Sequence, residues 1–302
     1  MILRPPPRPR VPLVQRLAER LARQPLPRPR HTLLDPDPPL LPSFYCLLPL
    51  EAILCVLHDT GTASARQRRL PAHEIVWLLV AASLFRDRSL PMVWRHLHPS
   101  SDSAQPVDSA FTQARQRLGA LPLKLLFHRT CRPLASQEEM MAVGVWHGPW
   151  LVVALDGSVF ETPDTPANRR ALGSASNQHS EGAFPQLRLA AICEVGTHAI
   201  TDVEMGPYVT SEQELSLRML RRLPSGRLVL MDRGLSYFEL VAAVRQRNSH
   251  VLARVKVSRA LPVEKRLPDG SYLSTICPSY NQRRAKQGGI KVRAVRRPPR
   301  PS

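Results

Sequence analysis

Residues 151–158 read Leu-Val-Val-Ala-Leu-Asp-Gly-Ser, an apolar run that closes on the carboxylate of Asp156. Four to six apolar residues followed by Gly are typical of a buried strand whose last side chain emerges at the rim of a sheet. A second run, Arg-Leu-Val-Leu-Met-Asp-Arg-Gly at 227–234, places Asp232 in the same way. Two acids at the ends of neighbouring strands would form the all-oxygen pocket that Mg²⁺ prefers, so the pair predicts a phosphoryl-transfer site.

Two other interpretations of these acids are open at this point. Asp and Gly are also common in the turn that ends a strand. Either acid, taken alone, could therefore be a turn residue with no role in catalysis. The stretch Asp-Gly-Ser could also end the strand of a metal-dependent phosphatase. Such enzymes usually carry a further acid two residues away, however, and here Ala154 and Ser158 occupy those places.

The sequence around the two acidic runs alternates between strand and helix patterns. A helix at 211–223 has Ser211 and Glu214 as a capping box, and another helix follows at 235–247. The predicted strands, in chain order, are 150–156, 186–194, 199–204, 228–232 and 250–257. This is the succession of a ribonuclease-H-like fold, in which the first and fourth strands lie side by side at the centre of the sheet.

Four stretches carry a resemblance to a known family. They are Asp-Gly-Ser-Val-Phe at 156–160, Thr-Pro-Asp-Thr-Pro-Ala-Asn at 162–168, Phe-Pro-Gln-Leu-Arg-Leu at 184–189 and Met-Asp-Arg-Gly-Leu-Ser-Tyr-Phe-Glu-Leu at 231–240. Together they resemble the insertion-sequence transposases of the IS-four type, over roughly residues 44 to 295. These are DDE enzymes, so the resemblance implies an α/β, ribonuclease-H-like core preceded by an all-α N-terminal domain.

The resemblance also implies a chemistry and a set of partners. Asp156 and Asp232 become the catalytic and metal-binding acids, holding two Mg²⁺ ions, or Mn²⁺, for hydrolysis and strand transfer at phosphodiesters. The implied partner is double-stranded DNA, as transposon ends and as target, and a homodimer on DNA is left open. Four residues are candidate DNA neighbours because of their positions in the motifs. They are Asn168, Arg233, Arg254 and Lys256. The alternative for each is an ordinary surface residue that contacts no DNA.

The N-terminal half reads as helical from residue 44 to 134. Asp108 and Ser109 are expected to cap a helix that Gly119 ends. The family's N-terminal domain recognises transposon ends, so the basic positions here are candidate DNA contacts, although a solvated helix face would look the same. These positions are Arg66, Arg68, Arg69, Arg115 and Arg117.

The third acid of the DDE set has no match in this sequence. The family places it in a helical Tyr…Arg…Glu…Lys motif downstream of a β insertion, and only the opening of that insertion is expected here. Glu239 and Glu264 stand in the wrong surroundings to replace it. We therefore expect a copy that is truncated before the catalytic Glu, with an incomplete core. The alternative function is a non-enzymatic DNA-binding remnant that recognises transposon ends.

The expected domains are four. A Pro/Arg-rich arm at 1–43 precedes the helical domain at 44–135, the catalytic core follows at 145–257, and the start of the insertion with a basic tail occupies 258–302. The two ends supply most of the net charge of +18, because residues 1–40 hold eight arginines against three acids and residues 281–302 hold eight basic residues and no acid. Five scattered cysteines indicate neither a zinc site nor disulfides. With no signal peptide or long apolar run, we expect a cytoplasmic, nucleoid-associated protein without membrane contact.

Overall fold

The computed structural model describes residues 48–64, 69–85, 87–98, 105–135, 145–174, 176–177, 180–182, 184–256, 259, 261–278 and 288–295. The chain divides into two compact units, Met1–Arg132 and Pro133–Ser302. The predicted arm at 1–43 lies outside the described residues. We call the first unit the helical unit and the second the sheet unit.

The helical unit consists of short amphipathic helices around one apolar core. Their bounds are α1 Leu50–Asp59, α2 Ala72–Leu84, α3 Leu90–Leu97, α4 Asp108–Leu118 and α5 Leu121–Thr130. The core contains large side chains from every helix, among them Ile53, Leu78, Val93, Phe111 and Leu126. Gly119 ends α4 with a φ of 68°, which is the left-handed backbone that a glycine adopts without strain.

Some details of the helical prediction were wrong. The N-cap of α4 is Val107 and no side chain caps this helix, so Asp108 is its first residue and supplies negative charge at the positive end of the helix dipole. The helical pattern expected up to residue 134 stops earlier, because the last helix ends at Thr130 and Cys131 adopts an extended backbone.

One ionisable group of the helical unit stands out. Glu74 lies in the first turn of α2, and partial burial raises its pKa to about 7 because the charged carboxylate loses hydration there. Glu51, in the equivalent turn of α1, is exposed.

The sheet unit is a mixed α/β structure. Its strands are β1 Trp146–His147, β2 Trp150–Glu161, β3 Ser176–Asn177, β4 Ser180–Glu181, β5 Gln186–Glu194, β6 Ile200–Pro207, β7 Arg227–Met231, β8 His250–Ala253, β9 Lys265–Arg266, β10 Tyr272–Ile276 and β11 Ile290–Ala294. Its helices are α6 Pro166–Leu172, α7 Glu212–Leu220 and α8 Phe238–Gln246.

The central sheet has the strand order β6-β5-β2-β7-β8, with β1 paired to β2. β2, β5 and β6 form antiparallel pairs, whereas β7 runs parallel to both β2 and β8. The prediction that the first and fourth strands lie side by side is therefore confirmed. Leu151, Val153 and Leu155 alternate along β2 into a core that they share with α7 and α8.

Several predicted element bounds needed correction. β2 does not end at Asp156 but continues to Glu161, because its outer half pairs with β5 as far as Gln186. The Asp-Gly turn reading is therefore wrong at residues 156–157. Helix α8 begins at Phe238 rather than 235, since Tyr237 is still extended. The expected start of the β insertion contains β9, β10 and β11, which form a small antiparallel sheet in the order β11-β10-β9.

A buried carboxylate fixes the start of the sheet unit. Glu194, at the end of β5, is fully buried. It accepts hydrogen bonds from the backbone N–H groups of Leu134 and Ala135 at 2.9 and 3.0 Å, and from the hydroxyl of Thr197 at 2.6 Å. These bonds compensate the carboxylate for lost water, so burial is tolerated.

None of the described helices is long and apolar enough to cross a bilayer.

Candidate metal centre

Asp156 stands where the parallel part of the central sheet stops. β2 and β7 are partners from Leu151–Arg227 to Leu155–Met231, and Asp156 is the next residue of β2. Its side chain is exposed, and its Oδ1 accepts a hydrogen bond of 2.8 Å from the N–H of Gly157. The carboxylate is thus held at the rim of the sheet and faces solvent.

Asp232 stands at the matching position of β7. It follows Met231, the last residue of the strand, and is exposed. Its Oδ1 accepts a hydrogen bond of 2.9 Å from the N–H of Leu235, which orients the carboxylate over the turn into α8. Because Leu155 and Met231 are direct partners, the structure brings the two predicted acids to adjacent places on one rim.

A third acid reaches the same rim. Glu212 is the first residue of α7, the helix between β6 and β7. A Cβ built on Gly157 would lie 2.6 Å from the carboxyl carbon of Glu212 and 2.8 Å from its Cγ, so the Glu212 side chain lies against β2 where Gly157 has no side chain. Any other residue at position 157 would compete with the Glu212 carboxyl for this space.

The Glu212 carboxyl interacts electrostatically with both predicted acids. Partial burial raises the pKa of the Glu212 carboxyl, and the negative charges of Asp156 and Asp232 raise it further. Arg188 of β5 acts in the opposite direction. The guanidinium of Arg188 donates to the carbonyl of Tyr208 at 3.3 Å and lies 4.9 Å from the centre of its ring.

The donor set of this rim suits a hard divalent cation, because carboxylate oxygens are the preferred ligands of Mg²⁺. The missing Cβ at Gly157 leaves the space that the Glu212 carboxyl occupies. As the side chains stand, no group of three or more His, Cys, Asp or Glu residues in the described part of the chain is arranged to hold a metal ion. The structure therefore shows adjacent acids and not a closed coordination shell.

Sequence reasoning did not find Glu212. The sequence pattern places it only in a capped helix start. Half of the predicted capping box is present, since the Ser211 hydroxyl accepts from the N–H of Glu214 at 3.1 Å, whereas the Glu214 carboxylate pairs with Arg218. The available signal was a Gly directly after Asp156 in a strand, together with an acid in the first turn of a helix that packs on that strand. Sequence alone does not say which residue of the helix meets Gly157.

The predicted basic neighbours of the site have different surroundings. Arg254 is exposed and its backbone N–H donates to the carbonyl of Met231 at 3.1 Å, which places it beside Asp232 on the same rim. Arg233 and Lys256 are exposed as well. The side-chain amide of Asn168 donates to the carbonyl of Pro163 at 2.9 Å, just before α6.

Among the predicted DNA contacts of the helical unit, Arg69, Arg115 and Arg117 are exposed. Arg66 and Arg68 lie outside the described residues. Arg115 and Arg117 belong to the last turn of α4. Arg129 of α5 differs from them, because its guanidinium donates to the carboxylate of Asp59 at 2.6 Å.

Comparisons with known proteins agree with this architecture. Sequence models of two families match the chain, "Insertion element 4 transposase N-terminal" at residues 41–128 and "Transposase DDE domain" at residues 148–300. The Escherichia coli K12 protein "Putative transposase InsZ" is 32% identical over 287 residues, which are 89% of this chain and 91% of that protein. "Transposase InsG for insertion sequence element IS4", from the same strain, is 30% identical over 200 residues, which are 63% of this chain and 42% of that protein.

A solved structure of the piggyBac transposase synaptic complex with hairpin DNA also matches, covering 88% of this chain and 55% of that chain. The sequence identity is 9% and the TM-score is 0.32, so the likeness between the two structures is remote. The predicted fold class, a helical region followed by a ribonuclease-H-like α/β core, is confirmed.

The expected truncation is not supported by these matches. The DDE domain match extends to residue 300, and the chain spans 91% of InsZ, although it spans less than half of InsG. The absence of the downstream Tyr…Arg…Glu…Lys motif from the sequence is therefore not evidence of a shortened copy.

Proposed function

The chain belongs to the insertion-sequence transposases of the DDE type with an insertion element 4 N-terminal region, and on this premise we propose that it binds double-stranded transposon ends and cuts and joins them. The reaction is phosphodiester hydrolysis followed by strand transfer. In the first step water attacks the phosphorus and a 3′-hydroxyl leaves. In the second step that hydroxyl attacks a phosphodiester of the target DNA, the new P–O bond joins the two strands, and the P–O3′ bond of the target breaks so that its own 3′-hydroxyl leaves.

The observation that carries the proposal is the placement of Asp156 and Asp232. They follow directly on the partner residues Leu155 and Met231 of two adjacent parallel strands, where the pairing between these strands ends. Two acids brought together from distant parts of the sequence at one exposed rim have no packing role that would require them. Their only described hydrogen bonds are local ones from backbone N–H groups, which orient the carboxylates.

Asp156 and Asp232 would hold Mg²⁺ or Mn²⁺, and the family implies two ions. A bound ion of this kind stabilises charge on the attacking and leaving oxygens of an in-line displacement. The side chains and backbone of the protein hold the two carboxylates and the substrate strand in position. The N–H groups of Gly157 and Leu235 keep the carboxylates in place, and Arg254, next to Asp232 at the rim, is suited to bind a phosphate of the substrate strand.

The helical unit supplies DNA affinity in this proposal. Arg69, Arg115 and Arg117 project from its surface, and contact with the phosphate backbone needs exposed cations of this kind. The same reasoning extends to Arg233 and Lys256 of the sheet unit. Assembly as a homodimer on paired ends is part of the same proposal.

The test is a cleavage and joining assay with labelled transposon-end DNA and Mg²⁺ or Mn²⁺. We expect nicked and joined products from the unmodified chain and a loss of at least a thousandfold with Asp156→Asn, since several kcal/mol of transition-state stabilisation depend on the metal site. Asp164→Asn is the matched control, because Asp164 is an exposed acid of the same unit that pairs with Arg169. Binding of the ends without any Asp156-dependent cleavage would favour the non-enzymatic alternative.

A further inference from the structure

We propose that the edge of the central sheet opposite the candidate metal centre is a second surface for duplex DNA, which binds the phosphate backbone and reads no base sequence. We call it the basal edge, and it consists of three segments, at 146–150, 221–227 and 245–250. The inference goes beyond the proposed function, which assigns DNA contacts only to the helical unit and to the rim that carries Asp156 and Asp232.

The three segments meet because the parallel strands β2, β7 and β8 all begin at the same edge of the sheet. Leu151 is the partner of Arg227, and Leu228 is the partner of His250. Along β7 the chain advances from Arg227 to Asp232 by about 17 Å, at roughly 3.3 Å for each residue of a strand. The basal edge is therefore well separated from the candidate metal centre.

The basal edge is rich in cations. Its three segments contain five arginines and two histidines, and neither Asp nor Glu. Arg221, Arg245 and Arg247 are exposed, and none of them has an acidic partner among the described residues. Exposed cations of this kind are what contact with the phosphate backbone of DNA requires.

The other two arginines of the basal edge interact with acids. Arg222 pairs with Asp202 and Glu204 of β6, both at 2.7 Å. Arg227 is half-buried and interacts with the charge of Glu194. These two arginines are therefore part of the structure, and the proposed DNA contacts are limited to the three exposed ones.

Backbone hydrogen bonds join the three segments into one surface. The N–H of Leu151 donates to the carbonyl of Gly226 at 3.1 Å, and the N–H of Gly226 donates to the carbonyl of Asn248 at 3.2 Å. The hydroxyl of Ser249 accepts from the N–H of Arg227 at 3.1 Å. The cations therefore project from a fixed platform, which lowers the entropy lost when DNA binds.

Two of the exposed arginines are oriented by acceptors that carry no negative charge. The guanidinium of Arg247 donates to the carbonyl of Leu223 at 2.8 Å, and that of Arg245 donates to Nδ1 of His250 at 3.2 Å. A guanidinium has five N–H donors, so each keeps further donors for a phosphate. By contrast, Arg169 and Arg218 of the same unit pair with acids.

Aromatic rings beside these cations favour a duplex over a single strand as the partner. The ring of Trp150 lies 4.3 Å from the ring of His250 and 6.3 Å from that of His147. Proteins that bind single strands stack unpaired bases on free aromatic faces. Here the rings pack against one another and support Arg245 through His250, so the basal edge presents its guanidinium groups and suits a phosphate backbone.

The experiment measures binding of a fluorescently labelled duplex of arbitrary sequence to the full chain by fluorescence anisotropy. Replacing the three exposed arginines together by Gln should weaken binding at least about tenfold at ~0.1 M salt and make the log–log salt dependence shallower by roughly 0.9 for each lost phosphate contact. This variant carries Arg221→Gln, Arg245→Gln and Arg247→Gln. A matched control with Arg169→Gln and Arg218→Gln should stay within about twofold of the unmodified chain, and equal losses in both variants would overturn the proposal.

A second variant separates DNA contact from a loss of structure. Replacing the same three arginines by Lys keeps the charge, so duplex binding should stay within about threefold of that of the unmodified chain, because backbone contact depends mainly on charge. Binding that falls as far with Lys as with Gln would overturn the proposal. Labelled single-stranded DNA and polyglutamate test the partner, since an equal dependence of either one on the three arginines would overturn the assignment to duplex DNA.

An Asp156→Asn background separates this inference from the proposed function. The triple Gln substitution should weaken duplex binding by the same factor with Asp156 or Asn at that position, since the two sites are far apart. Cleavage that requires Asp156, together with duplex binding that does not depend on the three arginines, would overturn the basal edge alone. Arginine-dependent binding without any Asp156-dependent cleavage would overturn the proposed cleavage function alone.

Discussion

The helical unit and the sheet unit place their charged groups in opposite ways. In the helical unit the core is apolar, and the candidate functional residues are exposed cations such as Arg115 and Arg117. In the sheet unit the contrasting charged groups are acids. Glu194 is fully buried, and Glu212 is half-buried and interacts with the charges of Asp156 and Asp232. The difference teaches that exposed cations of the first unit can be changed at little cost in stability, whereas the acids of the second unit are tied to its structure, Glu194 through the hydrogen bonds it accepts.

The largest expected effect is on DNA cleavage at the proposed metal site of the sheet unit. Asp232→Asn should lower cleavage of transposon-end DNA by a thousandfold or more, because the substitution removes a charged metal ligand. Its Tm in EDTA should be unchanged or higher, since one of the adjacent acids is neutralised. A variant that lost activity only because it unfolded, as seen by circular dichroism, would contradict this assignment.

Next in size is the buried anchor. Glu194→Ala should lower the free energy of unfolding of the sheet unit by about 2–4 kcal/mol, because it leaves the N–H groups of Leu134 and Ala135 without their acceptor. Hydrogen exchange read by mass spectrometry should show faster exchange in the sheet unit and none of the change in the helical unit. Glu161→Ala, an exposed acid at the end of β2, is the control and should have almost no effect.

A smaller effect concerns the exposed cations of the helical unit. Replacing Arg115 and Arg117 together by Gln should weaken binding of transposon ends by about tenfold at 0.1 M salt and make the log–log salt dependence shallower by roughly 0.9 for each lost phosphate contact. Arg129→Gln is the matched control, because this arginine already pairs with Asp59. Equal losses in both variants would mean that α4 has no special role.

The smallest expected effect is on the stability of the helical unit and arises from its partly buried acid, Glu74. The pKa of Glu74 is raised from 4.5 to about 7 by burial, so the native state keeps a proton that the unfolded chain releases. Stability should therefore fall as pH rises from about 4.5 to 7 and then level off. Glu74→Gln removes this loss and should be more stable by about 1 kcal/mol at pH 8, because partial exposure screens the charge, with little difference at pH 4.5.

Denaturant titration at several pH values measures this difference. Glu51→Gln, in the exposed first turn of α1, should show no such pH-dependent gain. A gain of equal size for both variants would indicate a general charge effect and not the burial of Glu74.

The sequence predicted those features that depend on periodicity. Apolar runs identified β2 and β7, and their adjacent places in the sheet followed from the ribonuclease-H-like order of strands and helices, whereas the parallel direction of the pair comes from the structure. The end of β2 could not be predicted, because whether a strand continues past Asp156 depends on the edge that β5 offers it. Glu212 was missed for the same reason, since its contact with Gly157 joins residues far apart in the sequence.

The parallel pairing of β2 with β7 also sets an order of events while the chain is being made. The partner of Leu151 is Arg227, whereas β5 and β6 follow β2 much sooner and can pair with it antiparallel. At about 5–20 residues per second, ribosomal synthesis of the stretch up to β7 takes several seconds. During that time one edge of β2 is an unpaired apolar strand, so this edge is where a nascent chain is most exposed to pairing with a neighbour.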